Sequence, residues 1–524
     1  MQMIDCLLTQ IPECGMIIPV PITDEKETIA MKKRLLALFI AILAALPLTA
    51  CGNGQTAETT ADTAAAETET AVETEPSFDP MLEAVDYGGE DFVILYNYGN
   101  DLEPNKDFVG DTLTGEIVND AIYNRTISLE DKYNVKMVYT MLKGDGEVGS
   151  AIQKAVTAGD STYAAADINA QFCIQQASKG NLMELRRLPN INLSQPYWSD
   201  TMLEGSSICG KNYFTFSDIN IHAYGATPCM IFNKVVHENH GLEDLYEIVL
   251  DGKWTFDKAC ELISAVTADL DGDGKITKDD TLGLIANNFC VDCFISGTGF
   301  RMIDKDEEDL PVLMMYTEEF ANIMDGIKNL LSVETGSFLV DRTSTQTEAR
   351  EYWTEWAITE DRALFWVGNI KCVERMRQSE SDFGVVPMPK ASEAQEDYAI
   401  HVQANIGTML CFPITLPDAD MVSRIIEDMA YISYETVMPA YMDVCIDGKT
   451  IRDEESLACL EIIRTSYYCD LGFMFQQLGV NVLGQMRDYV TNNRTDFMSK
   501  MAASAKSWGN AVTKIAGTFA DAES

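Results

Sequence analysis

The chain has 524 residues, 46% of them hydrophobic and 23% charged, so it can build a large core and two to four ordinary domains. Its 82 acidic against 38 basic residues leave a formal net charge of −44. A surface that acidic repels nucleic acid, phosphate-rich ligands and anionic lipid heads, so the expected partners are neutral solutes and cations, with no nucleic acid among them.

In chain order, residues 1–30 fit no folded pattern, and translation is expected to begin at Met31. There follows "MKKRLLALFIAILAALPLTAC". Lys32, Lys33 and Arg34 form a basic n-region. The apolar run Leu35 to Ala50 has 16 residues, short of the roughly 20 a bilayer span needs. It closes on Leu48-Thr49-Ala50-Cys51, which resembles the bacterial lipobox. On that reading residues 31–50 are a lipoprotein signal peptide and Cys51 is the lipidated first residue; an uncleaved signal anchor is the alternative. Residues 51–85 form an acidic tether. Between Cys51 and Pro76 Val72 is its one large apolar residue, too little to offset the entropy of ordering. The protein is thus expected on the outer face of the cell membrane, held by its lipid anchor.

The body begins near Asp86. It holds eleven cysteines, an odd number for an exported protein. Cys290 and Cys293 have C-x-x-C spacing without a second such pair, so free thiols are expected, as in an anaerobic habitat.

"FVILY" (Phe92–Tyr96) reads as a strand. In "GEIVNDAIYNRTISLEDKYNV", Ile117, Val118, Ala121, Ile122 and Leu129 recur at helical spacing. "KMVYTML" is a second strand, "EVGSAIQKAVTAGD" a helix, "AADINA" a third strand and "FCIQQASKG" a helix. The alternation resumes with "FTF", "ATPCMIFNK" and a helix from Thr255 to Ala268. Strand alternating with helix predicts an α/β fold with parallel sheets covered on both faces.

That last helix leads into "DLDGDGKITKDD". Positions 1, 3, 5, 7, 9 and 12 of a twelve-residue calcium loop fall on Asp269, Asp271, Asp273, the Lys275 carbonyl, Thr277 and Asp280, with Gly274 at the sharp turn. A calcium sensor would continue into an exit helix. Here "TLGLIANN" reads as a strand, so the unit is helix–loop–strand, a structural Ca2+ staple rather than a sensor. A solvated acidic turn is the alternative.

These pieces carry a family resemblance. The lipobox, the tether and the stretch Met230 to Leu284 resemble bacterial extracellular solute-binding lipoproteins of the carbohydrate ABC-transporter type. Asn233-Lys234, Gly241-Leu242 and Trp254-Thr255 stand in the family's order. "RALFWVGNI", "DFGVVPMPK" and, for clostridial members, "GEIVNDAIYNR" are also similar. The resemblance implies a two-lobed periplasmic-binding-protein-like fold (type II) whose lobes hinge on a ligand cleft. It divides the chain into 86–217 with 404–439 as the first lobe and 218–403 with 440–524 as the second. It implies a monomer that captures a sugar or oligosaccharide and passes it to ABC-transporter permease subunits.

Ligands of open α/β sheets bind beyond the carboxyl ends of strands. The candidates there are Tyr96, Asn97, Tyr98 and Asn100; Asn169 and Gln171; Asn287, Asn288, Phe289 and Asp292; and Trp366, Gly368 and Asn369. Amides and carboxylates suit sugar hydroxyls, and rings suit a pyranose face. Trp198 and Trp254 read as core. His237 and His240 read as an exposed helix end. No H-E-x-x-H or G-x-S-x-G is present and "GDGKIT" lacks the first glycine of a phosphate loop, so an enzyme is not expected. A carbohydrate-binding sensor or adhesion module is the second reading, and a secreted carbohydrate-active enzyme the third.

Overall fold

The computed structural model describes residues 78–99, 104–277, 279–342, 356–376, 379–446 and 454–521. The signal peptide, Cys51, tether residues 51–77 and Asn100 lie outside the described residues.

The first three apolar runs become β1 (Glu90–Asn97), β2 (Val135–Leu142) and β3 (Tyr163–Asn169), with β1 parallel to both others. Helices Ile117–Tyr133 and Asp145–Ala158 connect them, and Ala170–Ala177 follows β3. Alternate side chains of a strand point to opposite faces. β1 accordingly feeds two cores, with Phe92, Ile94 and Tyr96 in one and Leu95 in the other. β4 (Phe214–Thr215) and β12 (Thr408–Cys411) complete this sheet in the order β2-β1-β3-β12-β4.

The second sheet is built from β5 (Pro228–Asn233), β6 (Leu282–Ala286), β9 (Ser337–Leu339), β10 (Ala363–Asn369) and β11 (Phe383–Val386). Its order is β11-β5-β10-β6-β9, and β7 (Ile303–Lys305) pairs with β8 (Pro311–Leu313) as a separate ribbon. The expected all-parallel sheets are corrected here. β12 runs antiparallel to β3 and β4, and β5 antiparallel to β10 and β11. Each of these strands receives the chain from the other sheet. Each therefore starts at the edge where the parallel strands of its sheet, β1–β3 or β6, β9 and β10, finish.

Three crossings join the lobes. The first is 216–227, the second 387–407. The third leaves helix Ala419–Ile432 through the π-helical turn Ser433–Val437 and helix Met438–Ile446, and reaches helix Glu454–Thr465, which packs on β11. Helix Val482–Thr491 and the terminal helix Phe497–Asp521 pack on each other, and the former also touches helices Cys290–Gly297 and Glu318–Leu330.

The helix–loop–strand unit forms as the sequence predicts. Thr255 caps helix Phe256–Val266, and β6 follows the Asp-rich loop. Glycine at 283 is required because a Cβ there would stand 2.2 Å from the Ile263 carbonyl oxygen. Trp254 is fully buried and its Nε1 donates to the Pro387 carbonyl at 2.9 Å, as a core residue should. Cys173, Cys209, Cys229, Cys260, Cys290, Cys293, Cys411 and Cys469 carry thiols outside any disulfide. Among the described residues no helix is long and apolar enough to cross a membrane.

Candidate functional site

On the first lobe, Asn97 and Asn169 converge on a residue the sequence reading passed over, Asp145. Its Oδ2 accepts from Asn97 Nδ2 (3.0 Å) and Asn169 Nδ2 (2.9 Å), and its Oδ1 accepts from the Asn169 backbone N–H (2.8 Å). Burial nevertheless raises the Asp145 carboxyl above its ordinary pKa. Asn169 Oδ1 caps the following helix through Phe172 N–H (3.1 Å). Gln171 is buried, with Nε2 donating to the Phe473 carbonyl at 3.0 Å.

On the second lobe, Asn287 Oδ1 accepts from Phe289 N–H (2.8 Å), and Asn288 N–H donates to Asp341 (2.5 Å). Asn369 caps its helix through Cys372 N–H (3.1 Å). Asp292 holds Arg487 through Nε (3.0 Å) and Nη2, and the guanidinium lies 4.2 Å over the Phe289 ring. The second crossing links the two edges. Asn169 Nδ2 reaches the Asn405 carbonyl (3.2 Å), while Gln403 Nε2 reaches Cys293 Sγ (3.2 Å).

Two aromatics expected in a cleft are packed in the core instead. Tyr96 is buried against Phe108 at 5.5 Å, and Trp366 is buried in β10 opposite Ile231 and Ile285. Both are strand residues whose pleat faces the layer beneath rather than the strand end. The amides fare differently. Asn97, Asn169 and Asn369 sit at strand ends as expected, but their side chains bond Asp145 or cap a helix, whereas the Asn288 Oδ1 is buried without a hydrogen-bond partner among the described residues.

The cavity of interest lies at the first and third crossings and has a volume of about 530 Å³. Tyr197, Trp198, Phe216, Tyr224, Tyr434 and Tyr467 contribute its rings, and Asp218, Glu435 and Arg464 its charges. Lobe-one loop 196–199, the first crossing, the third crossing and the end of helix Glu454–Thr465 all meet there. Glu427 fixes two of the rings from behind, accepting from Tyr197 Oη (2.7 Å) and Trp198 Nε1 (3.1 Å). Phe216 and Tyr467 meet edge to face at 6.0 Å, and Tyr467 Oη hydrogen-bonds Thr227 Oγ1 (2.8 Å) at the mouth of β5. Burial pushes the half-buried Asp218 carboxyl up to about 7, against the opposing pull of the Arg464 guanidinium. Trp198, expected to be core, is 3% exposed and edges this groove. The sequence signal that could have found the site is "FTFSD", a strand running into an aromatic-flanked carboxylate.

In the Asp-rich loop, Asp269, Asp271 and Asp273 each bring one carboxylate oxygen within 4.8 Å of the others. Asp280 is not in that cluster. Its oxygens accept from Leu270 N–H (2.9 Å) and from Thr277 N–H (2.7 Å) and Oγ1 (3.1 Å). Asp280 and Thr277 thus close the base of the loop. Asp269, Asp271 and Asp273 likewise accept backbone N–H bonds within the loop, from Gly272 and Gly274, from Asp273 and from Lys275 respectively. Lys275 places its ammonium 3.9 Å from Asp273.

No protein-family model and no curated protein sequence matches the chain. Solved structures do. UgpB from Mycobacterium tuberculosis in complex with glycerophosphocholine is similar over 82% of this chain and 99% of that one, with a TM-score of 0.54 and 14% identity. The cyclic alpha-maltosyl-1,6-maltose binding protein from Arthrobacter globiformis is similar over 82% and 99%, at 0.52 and 12%. The GacH receptor of Streptomyces glaucescens, solved unliganded and with acarbose, is similar over 83% and 100%, at 0.51 and 12%. At such identities the likeness is one of fold: this chain has the two-lobed α/β architecture of periplasmic binding proteins.

The Asp218 pKa gives a stability prediction with a definite sign. Its folded value near 7 lies above the ordinary 3.8, so the folded state binds more protons than the unfolded state between those values. Stability relative to Asp218→Asn is therefore expected to fall as pH rises through that window, and to level off above it. Melting curves of both proteins across the range read this out. A difference independent of pH would mean that Asp218 is hydrated like a surface carboxylate.

Proposed function

We propose that the protein is the substrate-binding component of an ABC importer, capturing a carbohydrate-like solute between its lobes and delivering it to membrane permeases. One observation carries this reading: a ring-walled groove with a carboxylate sits where the crossings join the two lobes, so one ligand can touch segments from both. Only a ligand with different affinities for open and closed states can shift a hinge. Its volume lies in the usual range of roughly 300–1,000 Å³ for small-molecule sites. The similar folds named above belong to proteins seen with glycerophosphocholine and acarbose or named for a cyclic maltosyl-maltose, which supports the cargo class. The role is binding rather than catalysis.

A thermal-shift screen against mono- and oligosaccharides, polyols and amino sugars is expected to yield a stabilising solute, and solution scattering should show the protein growing more compact with it. Phe216→Ala should weaken that solute by ten- to a hundred-fold, since losing a stacked ring costs on the order of 1–3 kcal/mol and each tenfold is about 1.4 kcal/mol. A stabilising solute that produces no compaction would favour the adhesion reading instead.

The proposal includes a location. The lipobox-like Leu48-Thr49-Ala50-Cys51 supports an outer-face lipid anchor at Cys51. Mass spectrometry of the membrane-associated protein should find a diacylated Cys51 terminus. An intact Met31 terminus would remove the anchor from the proposal.

The loop is proposed to take Ca2+ on Asp269, Asp271 and Asp273, oxygen donors of the kind a hard cation needs. With a Kd on the order of 10⁻⁴ M, about 1 mM calcium would stabilise the fold by roughly 1.4 kcal/mol. Chelation is expected to lower Tm, and Asp271→Ala to abolish that difference. Superimposable melting curves with and without chelator would leave the loop as a solvated turn.

A further inference from the structure

The groove has rings and negative charge but few free neutral polar groups. Asn220 is spent, its Nδ2 on Asp167 (2.7 Å) and its Oδ1 on the Ser217 N–H (3.1 Å). Ser217 Oγ accepts from the Ile219 N–H, and Ser199 Oγ caps the Met202 N–H. The indole N–H of Trp198 and the hydroxyl of Tyr197 go to Glu427, and that of Tyr467 to Thr227. A neutral sugar needs donors and acceptors together, and these groups already have partners.

Asp218 is the exception. Among the described residues no hydrogen-bond donor reaches its carboxyl, and its charge partner is Arg464, whose guanidinium is already held by Glu461 through Nε (2.8 Å) and Nη2 (2.7 Å). Glu435 adds a second carboxylate on the rim from the third crossing. The charges facing the groove therefore comprise two carboxylates and a guanidinium that carries its own counter-ion. Beside Asp218 stand the rings of Phe216 and Tyr467. Carboxylate plus ring faces is the chemistry that holds an organic cation.

We propose that the groove selects a solute bearing a protonated amine or a quaternary ammonium, with the cation at Asp218 against the rings of Phe216 and Tyr467. This rests on the solute-binding reading of the same groove and narrows its cargo. The raised Asp218 carboxyl agrees with it, because a desolvated acid without a cation holds its proton, and a bound ammonium would release it. Affinity for a cation should then rise with pH through about 7. The other groups that face Asp218 are unlike it. The tyrosines 197 and 467 hold their protons well beyond that range, and Glu435 lies exposed on the rim.

The experiment is calorimetric titration of the full-length protein with four probes: the fully deacetylated disaccharide of glucosamine, its N,N′-diacetyl form, cellobiose, and choline. The deacetylated disaccharide or choline is expected to bind at least tenfold more tightly than either neutral disaccharide. Which of the two does so tells an amino sugar from a quaternary ammonium. Asp218→Asn is expected to lose that advantage. As a readout independent of the variant's folding, wild-type affinity for choline, whose charge does not titrate, should rise at least threefold from pH 6 to pH 8. Neutral probes binding as tightly as their charged counterparts would overturn the inference while leaving the solute-binding reading in place. It would be overturned too if neither cation bound, or if choline affinity were flat with pH and unchanged in Asp218→Asn.

Discussion

Two buried carboxyls, Asp107 and Asp167, hold the lobes' junction in register. Asp167, on β3, accepts from Asn220 Nδ2 (2.7 Å) and Asn105 Nδ2 (2.9 Å). Asp107 accepts from the His222 N–H (2.7 Å) and lies 3.5 Å from Thr408 Oγ1, while its carbonyl accepts from Arg125 Nη2 (2.6 Å). Arg125 Nη1 continues to Ser433 Oγ (2.9 Å). One polar cluster thus ties the first crossing (Asn220, His222), the strand that ends the second (Thr408) and the start of the third (Ser433) to the first lobe. Burial drives both acids up, Asp107 to about 6, and the charge of Asp107 lifts Asp167 further. Two adjacent desolvated carboxyls retain protons that separate ones would lose. Stripping any member of such a network strands its partners without water.

The groove grows out of that cluster. Phe216 and Asp218 stand just before Asn220, and Tyr434 and Glu435 just after Ser433. Asn220 and Ser433 therefore fix the two segments that wall the groove. On the opposite flank the lobes meet through Lys106 and Glu374 (3.0 Å) and through Lys371, which contacts His222 Nδ1 and lies 3.4 Å from the Pro104 carbonyl. Burial and the Lys371 charge hold His222 neutral. The Lys106 pair is exposed and worth at most about 1 kcal/mol.

The strand-end asparagines show how one residue type serves two ends. Asparagine after a strand suits a sugar hydroxyl, and it equally suits the N-cap of the helix that follows. Asn169 and Asn369 took the cap, as did Asn233, whose Oδ1 accepts from the Val236 N–H at 2.7 Å. With those amides occupied, the side chains that no local motif claims are the groove's rings and Asp218.

The sequence by itself determined whatever depends on neighbours along the chain. Apolar runs of strand length, helical stripes, the cap at Thr255 and the helix–loop–strand turn are local, set by pleat, periodicity and backbone hydrogen bonding, and were legible. The tertiary structure decided the pairings. Asp292 meets Arg487 across 195 positions and Tyr197 meets Glu427 across 230. The groove gathers loop 196–199, both flanking crossings and helix Glu454–Thr465 into one cavity. Whether Tyr96 and Trp366 face a cleft or a core was equally undecided by sequence. A strand's pattern shows that a side chain is apolar and on one face, but what covers that face comes from elements far along the chain. A polar group likewise takes whichever partner the fold places within 3 Å, because an unmade buried hydrogen bond costs more than any local preference supplies.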